Sequence, residues 1–361
     1  MELVNEWVFV SATDNMGGAE QCLQLLAEAS GGQFIVLKKA TSNQLKLAKN
    51  LKVNFLTKGP LLLGLVLLPI ALFKYRNNYK IISSNAYINA FIGLLKRIKY
   101  LKSDVIVRES TQIFTRFTGI KKASYSLAYS LGYPGVDMVV CQTDQMRDQL
   151  ISYNRFLNPG NVICVPSPID VKLIERQIMK NEIVNNGKFI CAAGRLIPLK
   201  GFHILIRAFK DITENYPDLK LIILGDGPER DKLLSLIKEL NLENRVILKG
   251  FVNNPFSYFK KAQCCVISSI QEGFPNVLLQ MLSTNNAVIS TECAGGISEI
   301  PGLVTAKTNN IEDLQYGIKS LLKMNTSSHR EKFDAYLANR TPAIFLNTIL
   351  SHEKFNTLVY E

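Results

Sequence analysis

Short apolar segments alternate with amphipathic ones along the whole chain. Residues 7–11 form a continuous apolar run typical of a buried strand, and residues 19–29 carry apolar side chains at helical spacing. A loop with Gly17 and Gly18 separates them, and residues 34–37 predict a second strand. Strand, glycine loop, helix and strand in this order predict the start of a parallel α/β sheet.

The same alternation continues in two series. In the first half, strands are predicted at residues 81–83, 104–107, 138–141 and 162–165, with helices at 86–97 and 144–153. From Gly187 on, strands are predicted at residues 189–192, 219–224, 246–248, 264–268 and 287–290, and helices at 202–216, 231–240 and 275–282. We therefore predict two α/β domains, residues 1–170 and 171–361, joined around residues 166–186. A helical region begins at Ile311, and its last helix is a candidate to pack back on the first domain.

Length and composition fit this division. A chain of 361 residues suits two domains of about 150 residues each. Its seven cysteines are scattered without a C-x-x-C pair, which predicts small buried side chains in a reducing compartment. The three histidines lie far apart in sequence, so neither a histidine metal site nor a Ser-His-Asp triad is predicted.

Membrane insertion is not predicted. The N-terminus carries acidic residues and no basic segment, unlike a signal peptide. The longest apolar run, residues 60–73, has 14 residues and contains Pro69, which is short for a membrane span. We expect a cytoplasmic protein that is peripheral on the inner face of the cell membrane.

Charge is distributed unevenly. The net charge is +12, and residues 30–103 contain no Asp or Glu but thirteen bases: Lys38, Lys39, Lys46, Lys49, Lys52, Lys58, Lys74, Arg76, Lys80, Lys96, Arg97, Lys99 and Lys102. A basic face with interleaved apolar residues can bind anionic lipid, at about 1 kcal/mol per base. We expect this partner, with electrostatics dominant because part of the apolar run belongs to the core. The alternatives are a solvated basic surface and nucleic acid, for which the sequence offers no binding module.

Two cations flank a predicted strand-to-helix loop. Arg195 follows the strand at residues 189–192, and Lys200-Gly201 precedes the next helix. Arginine offers a planar fork of donors, lysine a compact charge, and a helix start adds backbone amides. Together they suit a diphosphate, although surface cations of this kind are common.

A second segment follows the strand at residues 264–268. It reads Glu272-Gly273-Phe274-Pro275-Asn276, in which the proline suits the start of a helix and the glycine allows close backbone approach. We predict that the Glu272 carboxylate accepts hydrogen bonds from sugar hydroxyls, and that Gln280 reaches those of a ribose. The alternatives are a charge that complements the helix dipole and an ordinary helix residue.

These motifs, in this order, resemble glycosyltransferase family 4. The resemblance is carried by Gly17-Gly18-Ala19-Glu20, Gly194-Arg195-Leu196 with Lys200-Gly201, Gly225-Asp226-Gly227-Pro228-Glu229, and Glu272-Gly273-Phe274-Pro275-Asn276. It is dense from residue 187 to 301 and thinner in the first half. It implies the GT-B fold, in which two Rossmann-like domains with parallel sheets face each other across a cleft, and retention of the anomeric configuration.

The resemblance also implies roles. Arg195 and Lys200 would hold the donor diphosphate and, with Glu272 on the transferred sugar, form the catalytic set. The donor site as a whole would comprise Gly17, Gly18, Arg195, Lys200, Glu272, Gly273, Phe274, Pro275, Asn276 and Gln280. Weaker candidates for the acceptor are Asn15, Arg108, Glu109 and Ser110, and Glu299 is a weaker site candidate. The glycine turn at residues 225–227 lacks a P-loop ending and is expected to shape a turn.

Two departures from the family pattern affect the chemistry. Gln280 stands where the family has a second glutamate, and an amide can still exchange hydrogen bonds with ribose hydroxyls. Many members carry a histidine after a first-domain strand, where this chain has Arg108-Glu109-Ser110. Retention without a histidine base requires only that the departing phosphate oxygen takes the acceptor proton. No Asp-x-Asp motif follows a strand, so we expect neither a metal nor another cofactor.

The resemblance implies a bacterial surface-polysaccharide enzyme, of the O-antigen or capsule kind. It would transfer a hexosyl or N-acetylhexosaminyl group from a UDP-sugar to a lipid-linked saccharide. One alternative is a nucleotide-sugar epimerase of the same architecture. Another, motivated by Gln280, is a non-catalytic protein that binds sugar nucleotides.

Overall fold

The computed structural model describes residues 6–352 except 16, 42–44, 46, 49 and 180–186. Lys46 and Lys49 of the basic run, Met16 of the glycine loop and the end of the predicted join lie outside the described residues. The chain divides into two compact units, Met1–Pro168 with Arg340–Glu361, and Ile169–Asn339. The boundary after Pro168 lies close to the division predicted after residue 170.

The first unit is a parallel sheet with helices. Its strands are β1 (Trp7–Thr13), β2 (Gln33–Lys38), β3 (Lys52–Thr57), β4 (Lys80–Ser83), β5 (Asp104–Arg108), β6 (Met138–Cys141) and β7 (Val162–Cys164). Its helices are α1 (Gly18–Ser30), α2 (Leu61–Leu72), α3 (Ala86–Arg97), α4 (Ile113–Arg116), α5 (Gly119–Gly132) and α6 (Asp144–Tyr153). The strand order is β3-β2-β1-β4-β5-β6-β7.

The second unit repeats this plan. Its helices are α7 (Val171–Met179), α8 (Phe202–Thr213), α9 (Arg230–Glu239), α10 (Phe256–Lys261), α11 (Asn276–Leu282), α12 (Ile311–Lys323) and α13 (His329–Ala338). Its strands are β8 (Phe189–Ala193), β9 (Lys220–Leu224), β10 (Val246–Gly250), β11 (Cys264–Ile267), β12 (Val288–Thr291) and β13 (Val304–Ala306), in the order β10-β9-β8-β11-β12-β13. The prediction of two Rossmann-like α/β units is confirmed.

The last helix, α14 (Pro342–Leu350), belongs to the first unit. Phe345, Leu346 and Ile349 are buried and share a core cluster with Leu23 and Leu26 of α1. An apolar contact of this kind holds α14 on the first sheet.

Burial on both faces explains why the strands are continuous apolar runs. In β1, Val8 and Val10 enter one core cluster, while Trp7 and Phe9 enter the cluster on the other side of the sheet. All four are at most 2% exposed. Alternate residues of a strand point to opposite faces, so a sheet covered on both sides needs apolar residues throughout.

Strand order reverses once in each sheet, between β1 and β4 and between β8 and β11. All strand pairs in both sheets are parallel. In open parallel sheets, ligands bind beyond the carboxyl ends of the strands at such reversals. The topology therefore predicts ligand binding at the loops after β1, β8 and β11.

Two further sequence predictions can be compared with the structure. Six of the seven cysteines are buried and Cys164 is half-buried, which confirms their interpretation as interior side chains. Among the described residues, no helix combines the length and apolar character needed to cross a bilayer.

Candidate functional site

The loop after β8 is held against the loop after β11 by backbone contacts. A short 3-10 turn, Pro198–Lys200, ends at Gly201, whose φ of 62° is left-handed. A Cβ at Gly201 would lie 2.0 Å from the Ser268 carbonyl oxygen, so glycine alone fits here. Ser268 Oγ donates to the Lys200 carbonyl at 2.9 Å. Helix α8 begins at Phe202, the first residue of the helix predicted from the sequence, and Gly201 is its cap.

Lys200 and Glu272 form an ion pair across these loops. Lys200 Nζ lies 2.5 Å from Glu272 Oε1, and the two side chains are only 18% and 16% exposed. Ser269 Oγ donates to the same carboxylate oxygen at 2.7 Å, and the Glu272 amide donates to the Cys293 carbonyl at 2.8 Å. The carboxylate proposed for the sugar thus pairs with the cation proposed for the diphosphate.

The lysine reaches Glu272 by passing over the end of β8. A Cβ at Gly194 would lie 3.5 Å from both Cδ and Cε of Lys200. The lysine stem therefore packs over Gly194, and the ammonium sits where β8 and β11 end. This is the strand reversal of the second sheet, where a ligand is expected.

Arg195 is exposed and differs from Lys200 in having no side-chain partner within the described part of the chain. Its backbone is nevertheless fixed, because the next amide, of Leu196, donates to the Asp226 carbonyl at 3.0 Å. Its guanidinium can therefore turn to an anion without breaking an existing ion pair.

The glycine turn after β9 supports that loop. A Cβ at Gly225 would lie 1.9 Å from the Gly194 carbonyl oxygen, and one at Gly227 would lie 2.5 Å from that of Leu196. The two glycines let the turn pack directly on the loop that carries Arg195. This agrees with the expectation that residues 225–227 shape a turn.

The segment after Glu272 is largely internal. Gly273, Phe274 and Pro275 are buried, and α11 begins at Asn276 with Pro275 as its cap rather than in its first turn. Gln280 is half-buried in α11, between buried leucines and methionine. Glu299 is exposed in the loop after β12. The structure thus joins Lys200 with Glu272 directly and leaves Gln280 and Glu299 on other elements.

In the first unit, α1 begins at the reversal between β1 and β4. Its cap, Gly17, makes no side-chain capping bond, and a Cβ there would meet the Glu20 carboxylate. Burial raises the pKa of Glu20, against the opposing effects of its own backbone N–H and of the Arg108 charge. Asn15 is exposed beside this glycine turn.

Arg108 and Glu109 lie inside the first unit. Arg108 is 0% exposed and donates to Ser84 Oγ at 3.2 Å and to Ser167 Oγ at 2.9 Å. Glu109 is 3% exposed, and burial raises the pKa of its carboxyl. Ser110 is partly exposed. Of these acceptor candidates, the surface therefore offers Asn15 and Ser110.

The carboxyl of Glu109 is bound by two tyrosines. The Tyr129 hydroxyl donates to Oε2 at 2.7 Å, and the Tyr133 hydroxyl donates to Oε1. Burial and the neighbouring Glu109 raise the pKa values of both tyrosines well above their usual range. This network fixes the loop after β5 from within.

Sequence reasoning missed the serines that organise the site. Ser268 holds the Lys200 backbone and Ser269 holds the Glu272 carboxylate. The available signal was a pair of small hydroxyl residues directly after the apolar run of β11, three residues before Glu272. Ser167, which binds Arg108, lies 59 positions away in sequence and gave no comparable signal.

This chain is similar to a known protein family and to several known proteins. The family model described as Glycosyl transferases group 1 matches residues 174–340. An uncharacterised glycosyltransferase of Methanocaldococcus jannaschii is 39% identical over 182 residues, or 48% of this chain. The match spans 44% of that relative, so this chain corresponds to less than half of its length.

A second relative is matched more completely. It is the N-acetylgalactosamine-N,N'-diacetylbacillosaminyl-diphospho-undecaprenol 4-alpha-N-acetylgalactosaminyltransferase of Campylobacter jejuni, 31% identical over 71% of this chain and 72% of its own length. Among solved structures, Anabaena HepE in complex with UDP and glucose has a TM-score of 0.79 at 18% identity, covering 95% of this chain and 97% of its own. That likeness shows the GT-B fold. With the family model and the Campylobacter relative, these findings show that the chain belongs to the group 1 glycosyltransferases.

Proposed function

We propose that the protein is a retaining glycosyltransferase that transfers a sugar from a UDP-sugar to a lipid-linked saccharide. The observation that carries the proposal is the Lys200–Glu272 ion pair at the ends of β8 and β11, with Arg195 exposed on the same loop as Lys200. Two cations and a carboxylate at one strand reversal suit the two polar parts of a nucleotide sugar, the anionic diphosphate and the uncharged, hydroxyl-rich sugar.

Binding divides between these side chains. The Arg195 guanidinium offers two parallel N–H donors to one phosphate, while the Lys200 ammonium serves as a compact charge. Glu272 accepts hydrogen bonds from sugar hydroxyls, with Ser269 holding one of its oxygens. In the first unit, α1 begins without a side-chain cap, and we assign Gly17 and Gly18 to substrate contact there.

The reaction requires stabilisation of a leaving group. As the bond between the sugar's anomeric carbon and the phosphate oxygen breaks, negative charge collects on the diphosphate. Arg195 and Lys200 face that charge, which is where preorganised donors have their largest effect on rate. The acceptor hydroxyl forms its bond to the anomeric carbon on the same face, and its proton passes to the departing phosphate oxygen. Atoms and charges balance without an enzyme base or a metal.

Two observations support a lipid-linked acceptor, the name of the Campylobacter relative and the basic run of this chain. The name of the Campylobacter enzyme describes a saccharide on diphospho-undecaprenol, a lipid carrier. A lipid-linked acceptor in bacterial surface-polysaccharide synthesis would be met at the inner face of the cell membrane. The run of thirteen bases without acids at residues 30–103 supports such a location, since anionic lipids attract it.

Purified protein and a panel of nucleotide sugars test the proposal. We expect nucleoside diphosphate release that depends on a membrane lipid extract, and its loss in Arg195→Ala. Lys238→Ala, an exposed base of α9, is the matched control and should behave as wild type. Conversion of a UDP-sugar without any acceptor would instead identify an epimerase. Donor binding without turnover under any condition would identify a non-catalytic binding protein.

A further inference from the structure

Helix α2 has no polar side chain in its twelve residues. Gly64, Leu68 and Leu72 form its buried face. A Cβ at Gly64 would lie 2.7 Å from the Leu37 carbonyl oxygen, so this glycine lets the helix rest closely on β2. Only part of the apolar run is therefore used by the core of the first unit.

The opposite face of α2 is exposed. Leu62, Val66 and Ile70 are 71%, 63% and 71% exposed, and Phe73, just after the helix, is 55% exposed. Their spacing of four, four and three places them on one side of the helix. We call these four residues the apolar strip. A contiguous apolar surface of this kind marks an interaction site rather than ordinary scattered exposure.

Exposed bases surround the end of the strip. They are Lys74, Arg76, Lys99 and Lys102, here called the basic collar, and none of them forms an ion pair within the described residues. Lys102 is tied to Arg76, because its amide donates to the Arg76 carbonyl at 2.7 Å. Four uncompensated positive charges thus adjoin the strip.

Tyr100 joins the collar to the strip. Its hydroxyl donates to the Pro69 carbonyl of α2 at 2.9 Å, and its ring packs 6.5 Å from that of Phe73. The Arg76 guanidinium lies 4.9 Å from the Phe73 ring, so charge and apolar surface are in direct contact. The arrangement is a fixed feature of the first unit.

We propose that α2 inserts the apolar strip into the boundary of an anionic lipid bilayer, while the basic collar binds the headgroups. A twelve-residue helix is about 18 Å long, which suits a helix lying in the interface and not one crossing it. The strip carries no side-chain hydrogen-bonding group that would orient a protein partner, and three of its four residues are aliphatic and cannot stack on bases. Lipid satisfies both the apolar and the basic component.

This inference rests on the proposed function, because a lipid-linked acceptor gives the enzyme a reason to lie on a membrane. It also changes the balance predicted from the sequence, where electrostatics was expected to dominate. Because the strip is exposed, the part of the membrane affinity that comes from apolar contact should remain when salt screens the charges. The Debye length falls from about 10 Å at 0.1 M salt to about 3 Å at 1 M.

Vesicle sedimentation with the full chain separates the electrostatic and the apolar contributions to membrane binding. The strip variant is Leu62→Gln/Val66→Gln/Ile70→Gln, and the collar variant replaces Lys74, Arg76, Lys99 and Lys102 by Gln. The matched control is Leu234→Gln/Tyr316→Gln/Met324→Gln, three apolar residues of the second unit that are 45%, 74% and 46% exposed. The vesicles are phosphatidylcholine alone and phosphatidylcholine with phosphatidylglycerol.

We expect the collar variant to lose up to about 600-fold of its affinity for anionic vesicles at 0.1 M salt, given about fivefold for each of four bases, and little at 1 M. The strip variant should lose affinity at both salt concentrations, and the control should bind as wild type. Wild-type binding by the strip variant would overturn the proposal. So would a dimer that the strip variant converts to monomer in light scattering, which would make a second copy the occupant.

A fluorescence probe keeps the test valid if the strip variant does not fold. Trp7 is the only tryptophan and is buried, so Val66→Trp adds one reporter on the strip. Its emission should shift to the blue with anionic vesicles, and an unchanged spectrum would overturn insertion. Nucleoside diphosphate release with a short-chain, water-soluble acceptor reports on the proposed function separately, since it needs no vesicle.

Discussion

Lys200 Nζ lies 2.5 Å from Glu272 Oε1, and this contact joins the loops that follow the two central strands of the second sheet. Because the carboxylate already neutralises the lysine, an incoming diphosphate must share or take over that charge. The same displacement would free Glu272 for sugar hydroxyls. Donor binding and sugar positioning are therefore coupled through one ion pair.

Removal of either cation should reduce catalysis. We expect Arg195→Ala and Lys200→Ala each to lower kcat/KM. The fall should correspond to about 2–4 kcal/mol of lost transition-state stabilisation, as when one donor to a developing charge is removed. Steady-state kinetics of nucleoside diphosphate release measures this, with Lys238→Ala as control. Turnover near wild type in both variants would remove these residues from the diphosphate site.

Glu272→Ala should separate the sugar from the diphosphate. A hydrogen bond to a charged group contributes about 1.5–3 kcal/mol, so the affinity for UDP-sugar and the transfer rate should fall. The affinity for UDP should not fall, since Lys200 loses its competing partner. Calorimetry with both ligands measures the difference, and Glu243→Ala, an exposed carboxylate, is the control. Equal losses for UDP and UDP-sugar would place Glu272 away from the sugar.

Gln280 tests whether the departure from the family pattern matters. Its side chain is half-buried in α11, so a glutamate can be accommodated without entering the core. We expect the native protein to be active and Gln280→Glu to retain donor binding, because both side chains can bind ribose hydroxyls. If only the Glu variant binds a nucleotide sugar at millimolar donor, the native chain is a non-catalytic member.

Most central elements were predictable because burial on both faces leaves a strong apolar signal. The limits predicted for α3, α6 and β6 match the structure residue for residue. The edge strand β3 was missed because its residues are exposed or half-buried and include polar side chains. Helix α2 was not predicted, because all of its residues are apolar and leave no helical alternation of apolar and polar positions. The local sequence pattern therefore predicts the elements that are buried in the core and fails for elements that face solvent.

The site was predictable in part for a similar reason. Motif spacing placed Arg195, Lys200 and Glu272 at strand ends, and parallel topology then brings two of those loops together. The ion pair itself spans 72 positions in sequence and depends on Ser268 and Gly201 holding the loops in contact. Such long-range contacts leave no periodic signal.

Gly201 should be intolerant of a side chain. Alanine there meets two penalties, a left-handed φ of 62° and a Cβ 2.0 Å from the Ser268 carbonyl oxygen. We expect Gly201→Ala to lower the free energy of unfolding by more than about 1 kcal/mol and to impair donor binding. Gly31→Ala has a similar φ of 65° and nothing within 4 Å, so it isolates the backbone strain. Equal destabilisation of both in denaturant unfolding would contradict the packing argument.

Glu109 should make stability depend on pH. Burial raises the pKa of its carboxyl above the usual 4.5, so the folded state holds a proton that the unfolded chain releases. This contribution is fully present below about pH 4.5 and is lost as the pH rises through the folded-state value. Glu109→Gln keeps the shape of the side chain and cannot titrate. Wild type should therefore lose stability relative to this variant as the pH is raised from 4.5 toward neutrality.

Denaturant unfolding at a series of pH values measures that difference. Tyr129 and Tyr133 both donate to Glu109, and their hydroxyls can rotate to accept from the amide of the variant, so Glu109→Gln should fold. Glu243→Gln, on an exposed carboxylate, is the matched control for replacing a glutamate by glutamine. Parallel curves for wild type and Glu109→Gln would show that the carboxyl is ionised in the folded protein. The hydrogen bonds from Tyr133, Tyr129 and Asn89, together with the charge of Arg108, would then outweigh the cost of burial at this position.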